Sequence, residues 1–240
     1  MYIYGRNPIV EAIRAGKTIA KIFLRFGVHG NAVEEVRRHA REHGIQILEL
    51  PRQKFDRLGN TTDSQGIVAL IEEALLITLD ELLALRHEQD PPFFIAVDGV
   101  TDPRNLGAIL RSAECAGAHG VILPQRDSSP ITDTVMKTSA GATAHLPIAR
   151  VGNLHQALLR LKDEDIWIAG LDADGDTDLL ALDGYRPLCL VVGSEGKGLR
   201  RLTRDTCDAL LRIPMWGRIS SLNASVAAAL ALYEIRRTRL

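Results

Sequence analysis

Short runs of continuous apolar residues alternate along the chain with apolar residues at helical spacing. In the first part of the chain this pattern predicts helix, strand, helix, strand, helix and strand at 9–13, 19–26, 33–43, 45–50, 55–58 and 67–71. Gly16 and Gly44 end the first two helices. The alternation predicts a small α/β unit over residues 1–72, in which helices cover a sheet.

A longer α/β pattern occupies residues 93–240. Continuous apolar runs predict strands at 93–97, 120–123, 146–151, 166–171, 188–192 and 210–213. Helical spacing predicts helices at 105–116, 131–139 and 154–162, and an Ala-rich helix after Asn223. Such alternation favours a mostly parallel sheet, here an open, doubly wound one. Residues 73–92 lie between the two patterns, and because they become polar and end in two prolines we predict a linker there.

The composition of the 240 residues is that of an ordinary globular protein, with 46% hydrophobic and 25% charged residues. A net charge of −1 excludes a globally basic nucleic-acid-binding protein. Any nucleic-acid binding must therefore come from local patches, such as the many Arg and Lys residues within 1–57. A solvated charged surface is the alternative interpretation of that patch.

Cysteines, histidines and apolar runs set further bounds on the class of protein. The three cysteines are an odd number without a C-x-x-C pair, so we expect a reducing compartment and no disulfides. The seven histidines are scattered without ligand spacing, which predicts no metal site. We find no signal peptide and no apolar run of membrane length, so we expect a cytoplasmic protein without membrane contact.

A glycine-rich loop follows the strand at 188–192 and begins at Gly193. Three glycines in six residues permit close approach of a ligand, although the loop matches neither the dinucleotide motif nor the Walker motif. A second short strand ends at Ile213, and the polar segment 220–223 opens the last helix. Loops at strand ends predict a ligand pocket, with a ligand-free glycine turn as the alternative.

Residues 98–117 form a second informative stretch. Asn105 occupies the position expected for a helix N-cap, and Arg111 follows six residues later, so the two side chains project from different sides of the helix. Arg111 interrupts the apolar face of this helix. Its planar guanidinium suits a phosphate or carboxylate ligand, and an ion-paired structural arginine is the alternative.

Three ordered blocks together resemble the SpoU (TrmH-type) branch of the SPOUT RNA ribose 2′-O-methyltransferases. The blocks are N-L-G-A-I-L-R-S-A from Asn105, L-V-V-G-S-E-G-K-G from Leu190, and the segment from Ile213-Pro214-Met215 through Ser220-Ser221-Leu222-Asn223. The resemblance implies an α/β methyltransferase domain over residues 93–240 that is tied in a deep trefoil knot. It also implies S-adenosylmethionine as the cofactor, and a homodimer with its active sites at the subunit interface.

The resemblance also assigns roles to individual residues. Backbone at three positions would hold the cofactor, namely Gly193, Ile213 and Leu222. Five side chains would carry catalysis or position the substrate, namely Asn105, Arg111, Glu195, Ser221 and Asn223.

The chemistry of arginine limits what Arg111 can do. A ribose 2′-hydroxyl must lose its proton as it attacks a methyl group, but arginine stays protonated in proteins. We therefore expect Arg111 to grip a substrate phosphate and orient it to receive the proton. The alternatives for the other side chains are a surface glutamate at Glu195 and helix caps at Asn105 and Ser221.

The first unit resembles the L30-like RNA-binding domain of the same family. The resemblance rests on Y-G-R-N-P-I-V-E-A from Tyr4 and on Q-G-I from Gln65. Asn7 and Ser64 stand where the family often has histidine. The resemblance assigns both positions to RNA recognition. It therefore specifies the reaction more closely than the RNA substrate.

Two further stretches bear on the substrate. D-G-V-T-D-P-R-N from Asp98 and G-L-R-R-L-T-R-D-T-C from Gly198 resemble the members that methylate a guanosine ribose in the peptidyl-transferase P loop of 23S rRNA. The implied partner is 23S rRNA or a ribosomal precursor. The nearest alternative is methylation of tRNA or of another rRNA nucleotide. Alternatives of other classes are a non-catalytic RNA-binding ribosome-assembly factor and a nucleotide-binding metabolic enzyme.

Overall fold

The computed structural model describes residues 2–15, 17, 19–59, 64–71, 76–85, 90–219 and 221–240. The chain divides into two compact units, residues 1–74 and residues 75–240. Each unit contains its own sheet.

The first unit is a four-stranded mixed sheet with helices. Its elements are β1 (Tyr2–Tyr4), α1 (Arg6–Arg14), β2 (Ile19–Arg25), α2 (Asn31–Glu42), β3 (Ile47–Leu50), α3 (Arg52–Phe55) and β4 (Ile67–Ile71). The strand order is β1-β4-β2-β3, in which β4 is antiparallel to both neighbours and β2 is parallel to β3. The helix predicted at 55–58 begins earlier, as α3, and continues as a 3-10 turn at Asp56–Leu58.

The second unit is larger and has an entirely parallel sheet. Its elements are β5 (Leu76–Ile77), α4 (Leu79–Ala84), β6 (Phe93–Val97), α5 (Pro103–Cys115), β7 (Gly120–Pro124), α6 (Asp133–Thr138), β8 (Ile148–Val151), α7 (Leu154–Lys162), β9 (Trp167–Leu171), β10 (Thr177–Asp178), β11 (Leu188–Val192), α8 (Arg201–Thr206), β12 (Ala209–Arg212) and α9 (Ala224–Arg237). The strand order is β10-β12-β9-β11-β6-β7-β8-β5, and every pair is parallel. The predicted α/β class with a parallel sheet is confirmed.

Successive residues of β6 face two separate hydrophobic cores. Phe93 and Ile95 pack with residues of α5 and α9, whereas Phe94 and Ala96 pack with residues of α4 and α7. The side-chain period of a strand is two, so a strand covered on both faces is apolar at every position. This explains why β6 and β11 are continuous apolar runs, buried at all five positions.

The order of the large sheet changes direction between β6 and β11. β7 and β8 lie on one side of β6, while β9 and β12 lie beyond β11. A crevice forms outside the carboxyl ends of two parallel strands at such a switch point, and ligands bind there in open α/β sheets. Strand order by itself does not trace how the chain passes through its own loops, so the trefoil knot stays a prediction.

Part of the segment predicted as a linker, 73–92, belongs to the second unit. Within it, β5 pairs with β8, and α4 begins with a capping box between Thr78 and Glu81.

Burial raises the pKa of the Cys207 thiol to about 12, and that of Cys189 further still. All three cysteines are free. Of the helices in the described ranges, none combines the length and apolar character needed to cross a membrane.

A charged cluster holds the end of α9 to the start of β6, at the amino ends of the parallel strands. Asp90 accepts hydrogen bonds from Arg236 (2.7 Å) and Arg239 (2.9 Å), and both guanidinium groups lie over the Phe93 ring. Burial alone would raise the pKa of the Asp90 carboxyl, but the two arginines outweigh it and hold this pKa below its usual range. The Nε2 atom of His119 lies 3.6 Å from the same carboxylate.

Asp90→Asn tests this cluster. The change removes the charge that pairs with Arg236 and with the buried Arg239, so we expect the free energy of unfolding to fall by about 1–3 kcal/mol. A carboxylate with a lowered pKa stabilises the fold above about pH 4, the range of unfolded aspartate, and this stabilisation is lost as the pH falls further. Denaturant unfolding at several pH values should therefore show the difference from wild type shrinking below about pH 4. The control is Asp80→Asn, since the Asp80 side chain is 85% exposed.

Candidate active site

The carboxyl end of β6 leads into α5 through an Asp-Pro turn. The Asp102 side chain accepts a hydrogen bond from the backbone N–H of Arg104 (2.8 Å), and Pro103 is the first helical residue. Asn105 is therefore the third residue of α5, and the expectation that it is the N-cap is wrong. An aspartate followed by proline at the first helical position begins a helix well, which places the start two residues earlier.

The interior position of Asn105 buries its side chain, which is 8% exposed. Two residues later, Gly107 lets α5 approach α6 closely. A Cβ atom there would lie 2.7 Å from the Thr138 Cβ and 2.8 Å from the Val135 carbonyl oxygen. The space beside Gly107 is thus filled by residues of α6 and the start of the next turn, and not left open for a ligand.

The glycine-rich loop after β11 closes on itself. Ser194 and Gly198 form an isolated antiparallel bridge with N–H···O distances of 3.0 and 2.9 Å. Gly196 and Gly198 have positive φ values of 79° and 62°, which glycine adopts without strain. A Cβ atom at Gly193 would collide with the backbone of Gly198 and Leu199. The loop thus requires glycine at Gly193 for its own folding.

A buried carboxylate ties this loop to the end of β6. Asp98 is wholly buried and accepts the backbone N–H of Arg200 (2.8 Å) and the Nε–H of the same residue. The guanidinium of Arg200 also donates to Asp127 (3.1 Å), in the loop after β7. Three loops at the carboxyl edge of the sheet are therefore joined by one arginine. The sequence prediction did not include Asp98 or Arg200 among the site residues, although an aspartate directly after a buried strand was the available signal.

A continuous chain of hydrogen bonds connects three of the predicted catalytic residues. Asn105 Nδ2 donates to Glu195 Oε2 (3.1 Å), and Asn223 Nδ2 donates to Asn105 Oδ1 (3.1 Å). Asn223 Oδ1 accepts from the backbone N–H (2.9 Å) and the hydroxyl (2.6 Å) of Ser225. Because a carboxylate only accepts, Glu195 sets the direction of both amides. The chain brings together residues 90 and 118 positions apart.

The start of α9 differs in one respect from expectation. Asn223, not Ser221, is the N-cap of this helix, because its side chain accepts from Ser225 N–H in the first turn. Ser221 is exposed. Ser220, predicted as part of the same polar segment, lies outside the described residues.

Arg111 is exposed on α5. Six residues of helix separate it from Asn105 by about 9 Å along the axis, on another side of the helix. Among the described residues it has no hydrogen-bond or ion-pair partner, so the alternative of an ion-paired structural arginine finds no support there. Within one protomer, the guanidinium of Arg111 is therefore separate from the hydrogen-bonded residues Glu195, Asn105 and Asn223.

The three predicted cofactor contacts lie at the same edge of the sheet or beside it. Gly193 follows β11 and Ile213 follows β12, with only β9 between these strands. Two strand spacings place their ends about 10 Å apart. Within the described ranges, the backbone groups of Gly193, Ile213 and Leu222 have no protein hydrogen-bond partner. Gly193 is buried and the other two are half-buried, and buried backbone groups are normally paired, so these groups fit a bound ligand.

In the part of the chain that the structure describes, His, Cys, Asp and Glu form no group that could hold a metal ion.

Comparison with family models accounts for both units. Residues 92–233 match the SpoU rRNA methylase family, and residues 2–75 match the substrate-binding domain of RNA 2′-O ribose methyltransferases. Together these matches span nearly the whole chain.

Individual relatives agree. The chain is 40% identical to YacO of Bacillus subtilis (strain 168), assigned to the TrmH family of tRNA/rRNA methyltransferases, over 99% of this chain and 96% of the relative. Its fold is similar to that of the SpoU methyltransferase AviRb from Streptomyces viridochromogenes in complex with AdoMet. The TM-score is 0.83 and the identity 28%, over 100% of this chain and 90% of AviRb. The fold is also similar to that of an AdoMet-bound rRNA methyltransferase from Sinorhizobium meliloti, with a TM-score of 0.81 and 26% identity, over 100% of this chain and 87% of that one. The chain belongs to the SpoU (TrmH-type) family of RNA methyltransferases, and its cofactor is S-adenosylmethionine.

Proposed function

We propose that this protein methylates a ribose 2′-hydroxyl in RNA, at a guanosine in the P loop of 23S rRNA. The observation that carries the proposal is the directed chain from Glu195 through Asn105 to Asn223, at the strand ends where ligands of α/β sheets bind. The match of residues 2–75 to a substrate-binding domain of RNA 2′-O ribose methyltransferases supports the choice of a ribose oxygen. We place the reaction in the cytoplasm.

The cofactor supplies an electrophilic methyl group on a sulfonium centre. Backbone groups of Gly193, Ile213 and Leu222 hold it, because they lack protein partners among the described residues and flank one end of the sheet. The half-buried side chains of Ile213 and Leu222 provide apolar contact for its non-polar parts.

The chain's own side chains bind and orient the RNA. The Arg111 guanidinium grips a substrate phosphate with two parallel hydrogen bonds, and that phosphate receives the proton of the 2′-hydroxyl. Arg111 itself remains protonated throughout. Its positive charge stabilises the negative charge that develops in the transition state.

The amide chain fixes the other polar groups of the site. Glu195 accepts a hydrogen bond from Asn105 and thereby holds the amides of Asn105 and Asn223 in one orientation. The donors and acceptors that these amides still have free are therefore fixed in direction. Ser221 is exposed at the start of α9 and supplies a hydroxyl near the target ribose. The oriented amides and the exposed Ser221 hydroxyl suit a catalytic site, and a non-catalytic assembly factor would not require them. They therefore favour an enzyme over such a factor.

The active form is a homodimer in this proposal. Val226, Leu230 and Tyr233 lie at i, i+4 and i+7 on α9 and are 46%, 48% and 56% exposed. An exposed apolar stripe of this spacing suits a second helix. A second copy of the chain would cover it, and the separation of Arg111 from Asn105 within one chain agrees with a site completed at the interface.

Ribose-methylation mapping of total RNA from cells with and without the protein tests the reaction and the substrate together. We expect one 2′-O-methyl mark in the 23S P loop to disappear and to return with wild type but not with Arg111→Ala. Loss of the guanidinium should lower kcat by about a hundredfold or more. The control is Arg160→Ala, a surface arginine on α7. A mark lost in tRNA or at another rRNA position would contradict the substrate, and an unchanged map would contradict the reaction.

Arg111→Lys separates charge from geometry. Lysine keeps the positive charge but cannot form two parallel bonds to one phosphate, so kcat should still fall at least about tenfold. Single-turnover kinetics with saturating cofactor measure the effect. Full activity in this variant would contradict the proposed phosphate grip.

Asp98→Asn tests the support of the glycine loop. The two donors of Arg200 bind different oxygens of the carboxylate, and asparagine replaces one of these oxygens with an NH2 donor. A buried donor therefore loses its partner, and the loop that carries Gly193 loosens. We expect the Kd for S-adenosylmethionine to rise about tenfold or more by calorimetry. Asp127→Asn removes the exposed contact of the same arginine and should leave the Kd close to wild type. Equal Kd values for the two variants would show that the buried contact does not support the cofactor site.

A further inference from the structure

One edge of the sheet in the first unit gathers three loops. Residues 26–30 follow β2, residues 52–59 follow β3, and residues 64–66 precede β4. β2 and β3 are parallel and β4 runs the other way, so all three loops lie at the same edge. We name these three segments the loop edge. The N–H of Phe26 donates to the carbonyl of Leu50 (2.9 Å), which places the first loop beside the start of the second.

Phe26 is an exposed aromatic residue at this edge. It is 57% exposed, whereas Phe55, on the neighbouring helix α3, is 1% exposed. The ring of Phe26 thus contributes little to the core of its unit. A large apolar side chain held at a loop of a polar surface suits binding better than folding.

The loop that presents Phe26 is held in place. A Cβ atom at Gly66 would lie 2.5 Å from Val28 Cγ2, so Val28 fills the space that glycine leaves. The N–H of Arg25 donates to the Gly66 carbonyl (2.9 Å), and the hydroxyl of the buried Ser64 accepts from the Gly66 N–H (3.1 Å). These contacts fix the backbone on both sides of the turn, so the position from which the Phe26 ring projects is set before any ligand arrives.

Cations follow immediately along the same edge. Arg52, Lys54 and Arg57 are exposed, against one carboxylate, Asp56, which lies 3.6 Å from Arg52. Within the described residues, Lys54 and Arg57 have no ion-pair partner. The edge therefore combines one exposed ring with unneutralised positive charge, which is the combination that binds single-stranded nucleic acid.

We propose that the loop edge binds a single-stranded segment of the RNA substrate, with an unpaired base stacked on Phe26 and adjacent phosphates paired with Lys54 and Arg57. This proposal rests on the proposed function only in taking RNA as the substrate. A base offers its flat face to a side chain only when it is unpaired or splayed out, so a loop or a bulge is the expected target rather than a duplex.

The test measures binding of the full chain to two fluorescent probes, an oligouridine of about 12 nucleotides and an RNA duplex of the same length. Phe26→Ala should weaken binding of the single strand about tenfold and leave the slope of affinity against salt unchanged. Phe26→Trp, which keeps a flat ring, should bind as wild type or more tightly. Lys54→Ala should weaken binding and reduce the salt slope by about one.

Two controls separate stacking from misfolding. Tyr185→Ala removes an aromatic residue of the second unit that is 60% exposed, and it should not change the affinity. Thermal unfolding and cofactor binding of Phe26→Ala should match wild type. Unchanged single-strand affinity in Phe26→Ala, an equal loss on the duplex, or no binding of the oligouridine by wild type would each overturn the proposal. Methylation mapping is independent of these probes, so failure of this surface is distinguishable from failure of the proposed function.

Discussion

The wholly buried carboxylate of Asp98 lies where the two central strands of the large sheet end, and the arrangement of the candidate active site depends on it. A buried charge costs several kcal/mol unless it is paired and hydrogen-bonded. Arg200 meets that requirement with two donors, so the chain after the glycine loop must return to the end of β6. This return brings Glu195 over α5, within reach of Asn105. A requirement of burial thus produces the geometry of the candidate site.

The polar residues of the site are ordered by the same logic. One acceptor-only group, Glu195, orients Asn105, and Asn105 in turn orients Asn223. Asn223 also caps α9, so the position of the last helix and the orientation of the site are set by one side chain. Arg111 stands outside this chain and is exposed. In the proposed mechanism, the oriented amides position the substrate and the exposed cation binds its phosphate.

The two units meet different physical demands. In the large unit, both faces of a parallel sheet are covered and the functional groups lie at strand ends, where backbone groups remain available. In the small unit, a mixed sheet holds loops at one edge, and the fit of Val28 against Gly66 fixes the turn that exposes Phe26. In the large unit a buried, paired charge holds loops together, whereas the surface proposed to bind RNA in the small unit combines an exposed ring with exposed cations.

The amino-acid sequence by itself determined the two α/β units, the longer strands and helices, and the three blocks that indicate the family. These features are local, because continuous apolar runs and helical spacing report burial residue by residue. Strands of two or three residues, β1, β5 and β10, have no period to detect, and the short helix α8 has little. Helix starts also escaped, since Asp102 and Asn223 compete with Asn105 and Ser221 as caps and only the folded chain shows which side chain reaches a backbone N–H.

Only the tertiary structure decided which distant residues meet. The pairing of Asp98 with Arg200, and the order Glu195, Asn105, Asn223, join segments about a hundred residues apart. The structure also shows why Gly193 must be glycine, because the backbone of Gly198 and Leu199 in the same loop folds back against it. Hydrogen bonds and steric exclusion act over about 3 Å, so the partner of a side chain becomes defined only when the fold has brought the two together.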